Sequence, residues 1–235
     1  MSNHLKISLV SRILIRTLDI FLSVAALFIL SPLFLILTLM LRFSGQGEVL
    51  YFQERIGLGG KKIRLIKFAT MLRNSPEMGA GELTLPQDPR VLPMGGVLRK
   101  TKLNELPQLI NILKGDLSLI GPRPQTQKFY LCYREEDRAL ISLVRPGLSG
   151  VGSILFRNEE DLIASAHDPV AFDADVLMPY KGELESWYVV NQSLGLYFEL
   201  ILISILVVLF PSCRFHQGIM SRLPSPPHQL INLVL

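Results

Sequence analysis

A chain of 235 residues is long enough for one compact domain plus segments that touch a membrane. Its hydrophobic content of 49% and mean hydropathy of +0.36 are high for a soluble domain, and its net charge of +4 suits anionic partners such as lipid headgroups, nucleotides or phosphates. The basic residues are spread and no nucleic-acid-binding motif occurs, which sets nucleic acid aside; Cys132 and Cys213, with no CxxC pair, imply neither a disulfide framework nor a thiolate zinc site, which suits a reducing cytoplasm.

In chain order, residues 5–18 mix apolar side chains with Lys6, Arg12 and Arg16 and read as an interfacial amphipathic helix. Residues 20–41 are almost entirely apolar, long enough to cross a bilayer and too long for a cleaved signal peptide, which would also need an A-x-A-like site. Ser31-Pro32 lies at the centre of this run. Proline removes a backbone donor and clashes with the preceding turn, so the helix must kink or break there, and the serine hydroxyl can bond a freed carbonyl. Basic residues flank both sides, with Arg12 and Arg16 before and Arg42, Arg55, Lys61 and Lys62 after, so no positive-inside asymmetry orients the segment. Two geometries fit: a plain kinked transmembrane helix, or a re-entrant helix that bends at Ser31-Pro32 and leaves on the face it entered.

Residues 45–193 alternate short strands, turns and helices. Residues 48–53 and 63–68 read as strands separated by the Gly57–Gly60 turn region, and residues 74–90, rich in Gly, Pro and Asp, read as a surface loop. In the next segment Leu103, Leu106, Leu109, Ile110 and Leu113 follow helical spacing. Pro107 is tolerated only in a first turn, so the helix is expected to start near Asn104, a good N-cap type, and to stop at Gly115. That would put Asn104 and Glu105 at a helix N-terminus, which favours phosphate, although a simple cap and first-turn acid is the commoner meaning of such a pair. Gly121-Pro-Arg-Pro124 then holds Arg123 in a stiff loop, and Arg145-Pro-Gly-Leu-Ser-Gly150 repeats the arrangement around Arg145. Arginine matches phosphate oxygens well, and two such loops favour a phosphate site over two plain surface arginines. Glu159, Glu160 and Asp161 form an acidic cluster whose ordinary reading is a solvated helix start. Residues 194–210 are strongly apolar, at the short edge for a span, and close the chain with a tail (residues 194–235 taken as a third segment) in which His216 and His228 lack metal-ligand spacing. No internal repeat or low-complexity domain occurs.

Taken together, the motifs resemble the monotopic polyprenyl-phosphate phosphoglycosyl transferases, also called bacterial sugar transferases. They occur in the family's order: Ser31-Pro32, Phe52-Gln-Glu-Arg-Ile-Gly57, Lys67-Phe-Ala-Thr-Met71, Asp88-Pro-Arg90, Leu98-Arg-Lys-Thr101, Glu105-Leu-Pro-Gln108, Lys114-Gly-Asp-Leu-Ser118, Gly121-Pro-Arg-Pro124 and Arg145-Pro-Gly147. Each is weak alone; the ordered set is specific, spans about residues 16–150, and continues more weakly through Trp187-Tyr188. The resemblance implies a small α/β (α+β) catalytic domain, residues 45–193, held on the cytoplasmic face of the bacterial inner membrane by a re-entrant helix within residues 1–44. It further implies Mg²⁺, a UDP-sugar donor, polyprenyl phosphate as acceptor and release of UMP, in a reaction that initiates glycan assembly. By residue match, Glu105 takes the metal role and Arg123 phosphate binding, with Lys67, Arg90, Arg99 and Arg145 around the substrate. The resemblance also suggests that residues 194–210 form a membrane-associated helix, packed on the domain or lying at the membrane surface; membrane lipids are expected partners, and the sugar and any homo-oligomer are left open.

Two positions depart from the family. Asn104 stands where the family has the aspartate that attacks the sugar-proximal phosphorus, and Ala69 stands where it usually has Arg. A neutral amide cannot replace a carboxylate nucleophile. An engineered mutant would explain Asn104 but not Ala69, and an inactive homologue or membrane adaptor would explain both. A natural subgroup with altered chemistry explains both and also the retained Glu105 and Arg123. In that subgroup the lipid phosphate attacks the donor directly, or another carboxylate, such as Glu105 or one of the 159–161 cluster, serves as nucleophile.

Overall fold

The apolar run forms two helices, α1 (Leu9–Ile29) and α2 (Ser31–Phe43), with a bend of 63° between them. Pro32 falls in the first turn of α2, where a missing N–H is tolerated, and the Ser31 hydroxyl donates to the Phe28 carbonyl at 2.8 Å across the break. Among the described residues no single helix is long and apolar enough to cross a membrane; the bent pair passes that test together. The computed structural model describes residues 7–44, 46–78, 84, 86–210, 215 and 217–234, so Cys213, His216 and part of the 74–90 loop lie outside it. The separate interfacial helix expected over residues 5–18 does not form among the described residues: from Leu9 onward that stretch is continuous with α1. The polar residue Arg16 does not interrupt the helix because its guanidinium reaches the Ile112 and Leu113 carbonyls at 2.7 and 3.1 Å.

Strands β1 (Leu50–Ile56) and β2 (Lys62–Phe68) pair as an antiparallel hairpin in the register Gln53 opposite Leu65. Gly59 and Gly60 turn it with φ of 68° and 72°, which only glycine adopts freely. Helix α3 (Pro93–Lys100) leads into a 3₁₀ turn (Leu103–Glu105), α4 (Gln108–Lys114) and β3 (Ser118–Ile120). Then follow α5 (Gln127–Leu131), α6 (Glu135–Ile141), β4 (Gly147–Ser149), α7 (Val151–Leu155), α8 (Glu159–Ala164) and α9 (Pro169–Phe172). A π turn (Asp173–Leu177) runs into α10 (Met178–Asn191), followed by α11 (Leu194–Leu209), α12 (Gln217–Met220) and α13 (His228–Val234). The expected mixture of helices and strands is present, but it is helix-rich, with β1–β2 and the short parallel pair β3–β4 as its sheets among the described residues.

Among the described residues four apolar clusters hold this together, the smallest gathering Tyr133, Ile141 and Met178. The largest joins α10 and α11 through Leu184, Tyr188, Tyr197 and Leu200, all without measurable exposure, and takes in Ile15 of α1 and Ile120 of β3. Helix α11 therefore belongs to the core on one face (Leu196, Leu200, Ile203, Val207), while Phe198, Leu202, Ile205 and Leu209 leave an apolar face exposed. Asp19 of α1 is buried among polar partners, accepting from Tyr197 (2.8 Å), Leu119 N–H (2.9 Å) and Ser118 (3.1 Å), and so ties the hairpin to β3 and α11. A second cluster sets Leu37 and Leu41 of α2 against Phe68 of β2 and Leu98 of α3, with Leu103 and Leu106 leaning on it. The third packs Leu109 and Ile112 of α4 on Leu65 of β2, with Ala26 and Leu27 of α1 alongside.

Candidate active site

The turn carrying Asn104 and Glu105 rests directly on the second arm of the bent hairpin, because the residues on either side of the pair, Leu103 and Leu106, pack into the α2 cluster. The expected helix start at Asn104 is corrected here. Asn104 and Glu105 lie in the 3₁₀ turn, α4 begins at Gln108, and no side chain caps it. The cause is Lys102, which turns left-handed at φ 61° and closes a tight turn through Glu105 N–H to the Lys102 carbonyl at 3.1 Å. Gly115 ends α4 as expected, at φ 91°.

Asn111, in mid-α4, fixes this turn to the hairpin. Its amide donates to the Arg64 carbonyl at 2.7 Å and its oxygen accepts from Ile66 N–H at 2.9 Å, pairing with the edge of β2 as a strand would. The next residue, Lys67, thereby meets Glu105 at 3.9 Å, and Arg123 reaches the same carboxylate oxygen at 3.3 Å from the opposite loop. Arg123 also approaches the Ser153 hydroxyl at 3.5 Å. Arg55 steadies the loop by donating to the Pro124 carbonyl at 3.4 Å.

The electrostatics follow from burial and crowding. Burial by itself would raise the Glu105 carboxyl, but Arg123, Lys67 and Lys102 prevail and hold it down to about 2. Burial lowers the Lys67 ammonium to about 7, with Glu105 pulling the other way, and burial also lowers Lys102. Glu105 in turn raises the Arg123 guanidinium. One firmly ionised carboxylate thus faces three basic side chains, of which Lys67 is part-charged near neutral pH, leaving a net positive site suited to phosphate groups. Ala69, two residues along the extended chain from Lys67 and buried, shares the face of Lys67 without adding a fourth cation.

The remaining expected residues separate. Arg99 pairs with Glu160 and adds to the positive field at Lys67. Arg90 is buried in the 74–90 loop, where it meets Asp88 at 2.6 Å and the carbonyls of Ser75 and Met78 at 2.9 and 2.8 Å. Arg145 is exposed and donates to the Gly115 carbonyl at 3.1 Å, at the far end of α4. Glu159 and Glu160 do open a helix, α8, yet neither is simply solvated: Glu159 pairs at 2.7 Å with Lys181, which is 2% exposed. Lys102, Lys181, Asn111 and Glu185 escaped the sequence reading. No local pattern marks Asn111: it lies one residue after Ile110, off the stripe of Leu103, Leu106, Leu109, Ile110 and Leu113, and its burial is set by the packing of α4 on β2.

Among the described residues no group of three His, Cys, Asp or Glu side chains converges to hold a metal ion. Mg²⁺ needs less from a protein when substrate phosphates and water complete its shell. Glu105 provides a carboxylate, and next to it in the chain the Asn104 side-chain oxygen is buried without a hydrogen-bond partner. These residues fit a magnesium ion shared with phosphates.

Residues 10–211 match the model of a family described as bacterial sugar transferase. The chain is 38% identical over 208 residues to an uncharacterised sugar transferase of Haemophilus influenzae, covering 83% of this chain and 40% of that protein. It is 38% identical over 142 residues to a UDP-N-acetylgalactosamine-undecaprenyl-phosphate N-acetylgalactosaminephosphotransferase of Aeromonas hydrophila, covering 60% of this chain and 33% of the relative. It is 35% identical over 182 residues to a UDP-glucose:undecaprenyl-phosphate glucose-1-phosphate transferase of Escherichia coli, covering 76% of this chain and 38% of the relative. The chain thus spans well under half the length of these relatives.

Proposed function

The chain belongs to the bacterial sugar transferase family, and we propose that it moves a sugar-1-phosphate from a UDP-sugar to polyprenyl phosphate, releasing UMP. The observation that carries this reading is Glu105 held between Lys67 and Arg123 on a turn seated against α2. Such a turn would meet a water-soluble diphosphate from one side and a lipid-borne phosphate from the other. The bent pair α1–α2 would sit in the inner membrane as a re-entrant hairpin with the site on the cytoplasmic face; its exposed Phe21, Val24, Phe28, Leu35, Ile36 and Leu39 suit lipid.

With Asn104 in place of a carboxylate, transfer is direct. An oxygen of the lipid phosphate attacks the sugar-proximal phosphorus, the bond from that phosphorus to the bridging oxygen breaks, and UMP leaves with the electron pair. Arg123 and Lys67 bind the donor phosphates and offset the charge gathering on the leaving oxygen. Glu105, with the Asn104 oxygen, would hold Mg²⁺, which would supply further charge neutralisation at the diphosphate. Asn104 also supports a second reading, a homologue that has lost turnover and serves as a membrane adaptor.

A trapping experiment separates these. The chain is incubated with UDP-sugar labelled in the sugar, without lipid acceptor, and examined for label bound to protein. Direct transfer leaves the protein unlabelled and makes labelled lipid once polyprenyl phosphate is added. A covalent phosphosugar adduct would refute the direct route, and its position would name the nucleophile. If the native chain is inert with lipid while Asn104→Asp turns over, the adaptor reading stands.

A further inference from the structure

Behind Arg123 lies a carboxylate that the reaction as described does not use. Glu185 of α10 has no exposure at all, and neither of its oxygens closes a hydrogen bond of ordinary geometry. A buried carboxylate without partners is costly, so such a group calls for a specific reason. Its surroundings supply one. The backbone N–H groups of Arg123 and Gly152 face it. A Cβ on Gly152 would come within 2.6 Å of one Glu185 oxygen, and a Cβ on Gly150 within 3.5 Å of the other. The glycines at these positions let the chain fold down onto the carboxylate. Gly150 also touches the other loop, since a Cβ there would lie 2.2 Å from the Gly121 carbonyl. Ser153, next to Gly152, is the residue whose hydroxyl approaches the Arg123 guanidinium at 3.5 Å.

We propose that Glu185 is a positioning residue for the transfer reaction, holding the backbone at Arg123 and at Gly152 so that the Arg123 guanidinium stands over Glu105 and the donor phosphates. Arg123 then has the Glu105 carboxylate in front and the Glu185 carboxyl behind; burial pushes that carboxyl up to about 7, against the Arg123 and Gly152 N–H groups and the Lys181 and Arg123 charges, so it holds the loops as a hydrogen-bond acceptor whether or not it is ionised. When donor phosphates compete for the guanidinium, the rear contact keeps its backbone in place. Lys181, one turn earlier on α10, is already committed to Glu159 and leaves Glu185 to the two loops. This inference rests on the proposed transferase reading.

The test is a double-mutant cycle on UMP release from UDP-sugar with polyprenyl phosphate, using Glu185→Gln, Arg123→Gln and the pair, with thermal unfolding of each chain and calorimetric UDP binding in parallel. Glu185→Gln keeps the volume and replaces one acceptor oxygen of the carboxyl with an amide donor. The expected result is a fall of about tenfold in kcat/KM in the native background, little change in melting temperature, and no further loss in the Arg123→Gln background. An equal loss in both backgrounds, or no loss in either, overturns the proposal while leaving the transferase reading intact. If Glu185→Gln fails to fold, Glu185→Asp takes its place. Weaker UDP binding confined to the background that keeps Arg123 supports the proposal, and any other pattern overturns it. A native chain that binds no UDP and releases no UMP removes the transferase reading, and this proposal with it.

Discussion

The Gly121-Pro-Arg-Pro124 loop and the Arg145-Pro-Gly147 loop lie against each other, backbone to backbone, and their arginines do opposite things. Gly147 N–H bonds the Pro122 carbonyl at 2.8 Å, and a Cβ on Gly121 would sit 2.6 Å from the Arg145 carbonyl. Arg123 turns inward to Glu105, among cations whose field holds that carboxylate ionised. Arg145 turns outward to the Gly115 carbonyl, where it joins Arg16 in satisfying the C-terminal end of α4. The same arginine, proline and glycine chemistry therefore yields a side chain aimed at the Glu105 carboxylate before one end of a seven-residue helix and a cap at the other. What decides between them is which end of α4 each loop reaches.

The sharpest way to break this contrast is at Glu105. Glu105→Gln leaves Lys67 and Arg123 facing each other without their anion, and UMP release is expected to fall by about 1000-fold. Folding stability, measured by urea unfolding, should drop by about 3 kcal/mol. The sign of its pH dependence follows from the depressed carboxyl: stability from this group is fully present above the ordinary value of 4.5 and is lost as pH falls through about 2. The gap between native and Glu105→Gln chains should close between those limits, and it should also narrow as pH rises through about 7, where Lys67 loses the charge that Glu105 stabilises. Arg123→Ala comes next, with about 100-fold lost in UMP release. Asn111→Ala, which strips partners from the Arg64 carbonyl and Ile66 N–H, should destabilise by about 2 kcal/mol and lower activity by loosening the Lys67 strand. Arg145→Ala should do least: about 0.5 kcal/mol in thermal unfolding and a change in UMP release of no more than about threefold. An Arg145→Ala loss as large as that of Arg123→Ala would erase the distinction between the two loops.

Much of this architecture could be read along the chain. The break at Ser31-Pro32, the β1–β2 hairpin, the stop at Gly115 and the pairing of Glu105 with Arg123 at one site all rest on local rules or on ordered motifs. The failures share a physical cause. Helical spacing from Leu103 does not reveal that Lys102 turns left-handed, so the spacing extends α4 backwards over what is a 3₁₀ turn. Arg123 and Arg145 are locally alike, and only the parallel pairing of β3 with β4 sends them to different ends of the helix. Lys181 and Glu185 look like ordinary charges on a helix; their burial is set by loops more than 20 residues away, which local patterning does not encode. The apolar C-terminal helix was legible as a helix, whereas its division into a core face and an exposed face depends on contacts with β3, α1 and α7.

Transfer in one step, without a covalent phosphosugar on the enzyme, is the mechanism we propose for this chain. UMP release measured with and without polyprenyl phosphate, across a panel of UDP-sugars, tests it most directly. Sustained UMP release that appears only when the lipid is present is the predicted result. A burst of UMP stoichiometric with the protein in the absence of lipid, or no UMP with any donor when lipid is supplied, would contradict it.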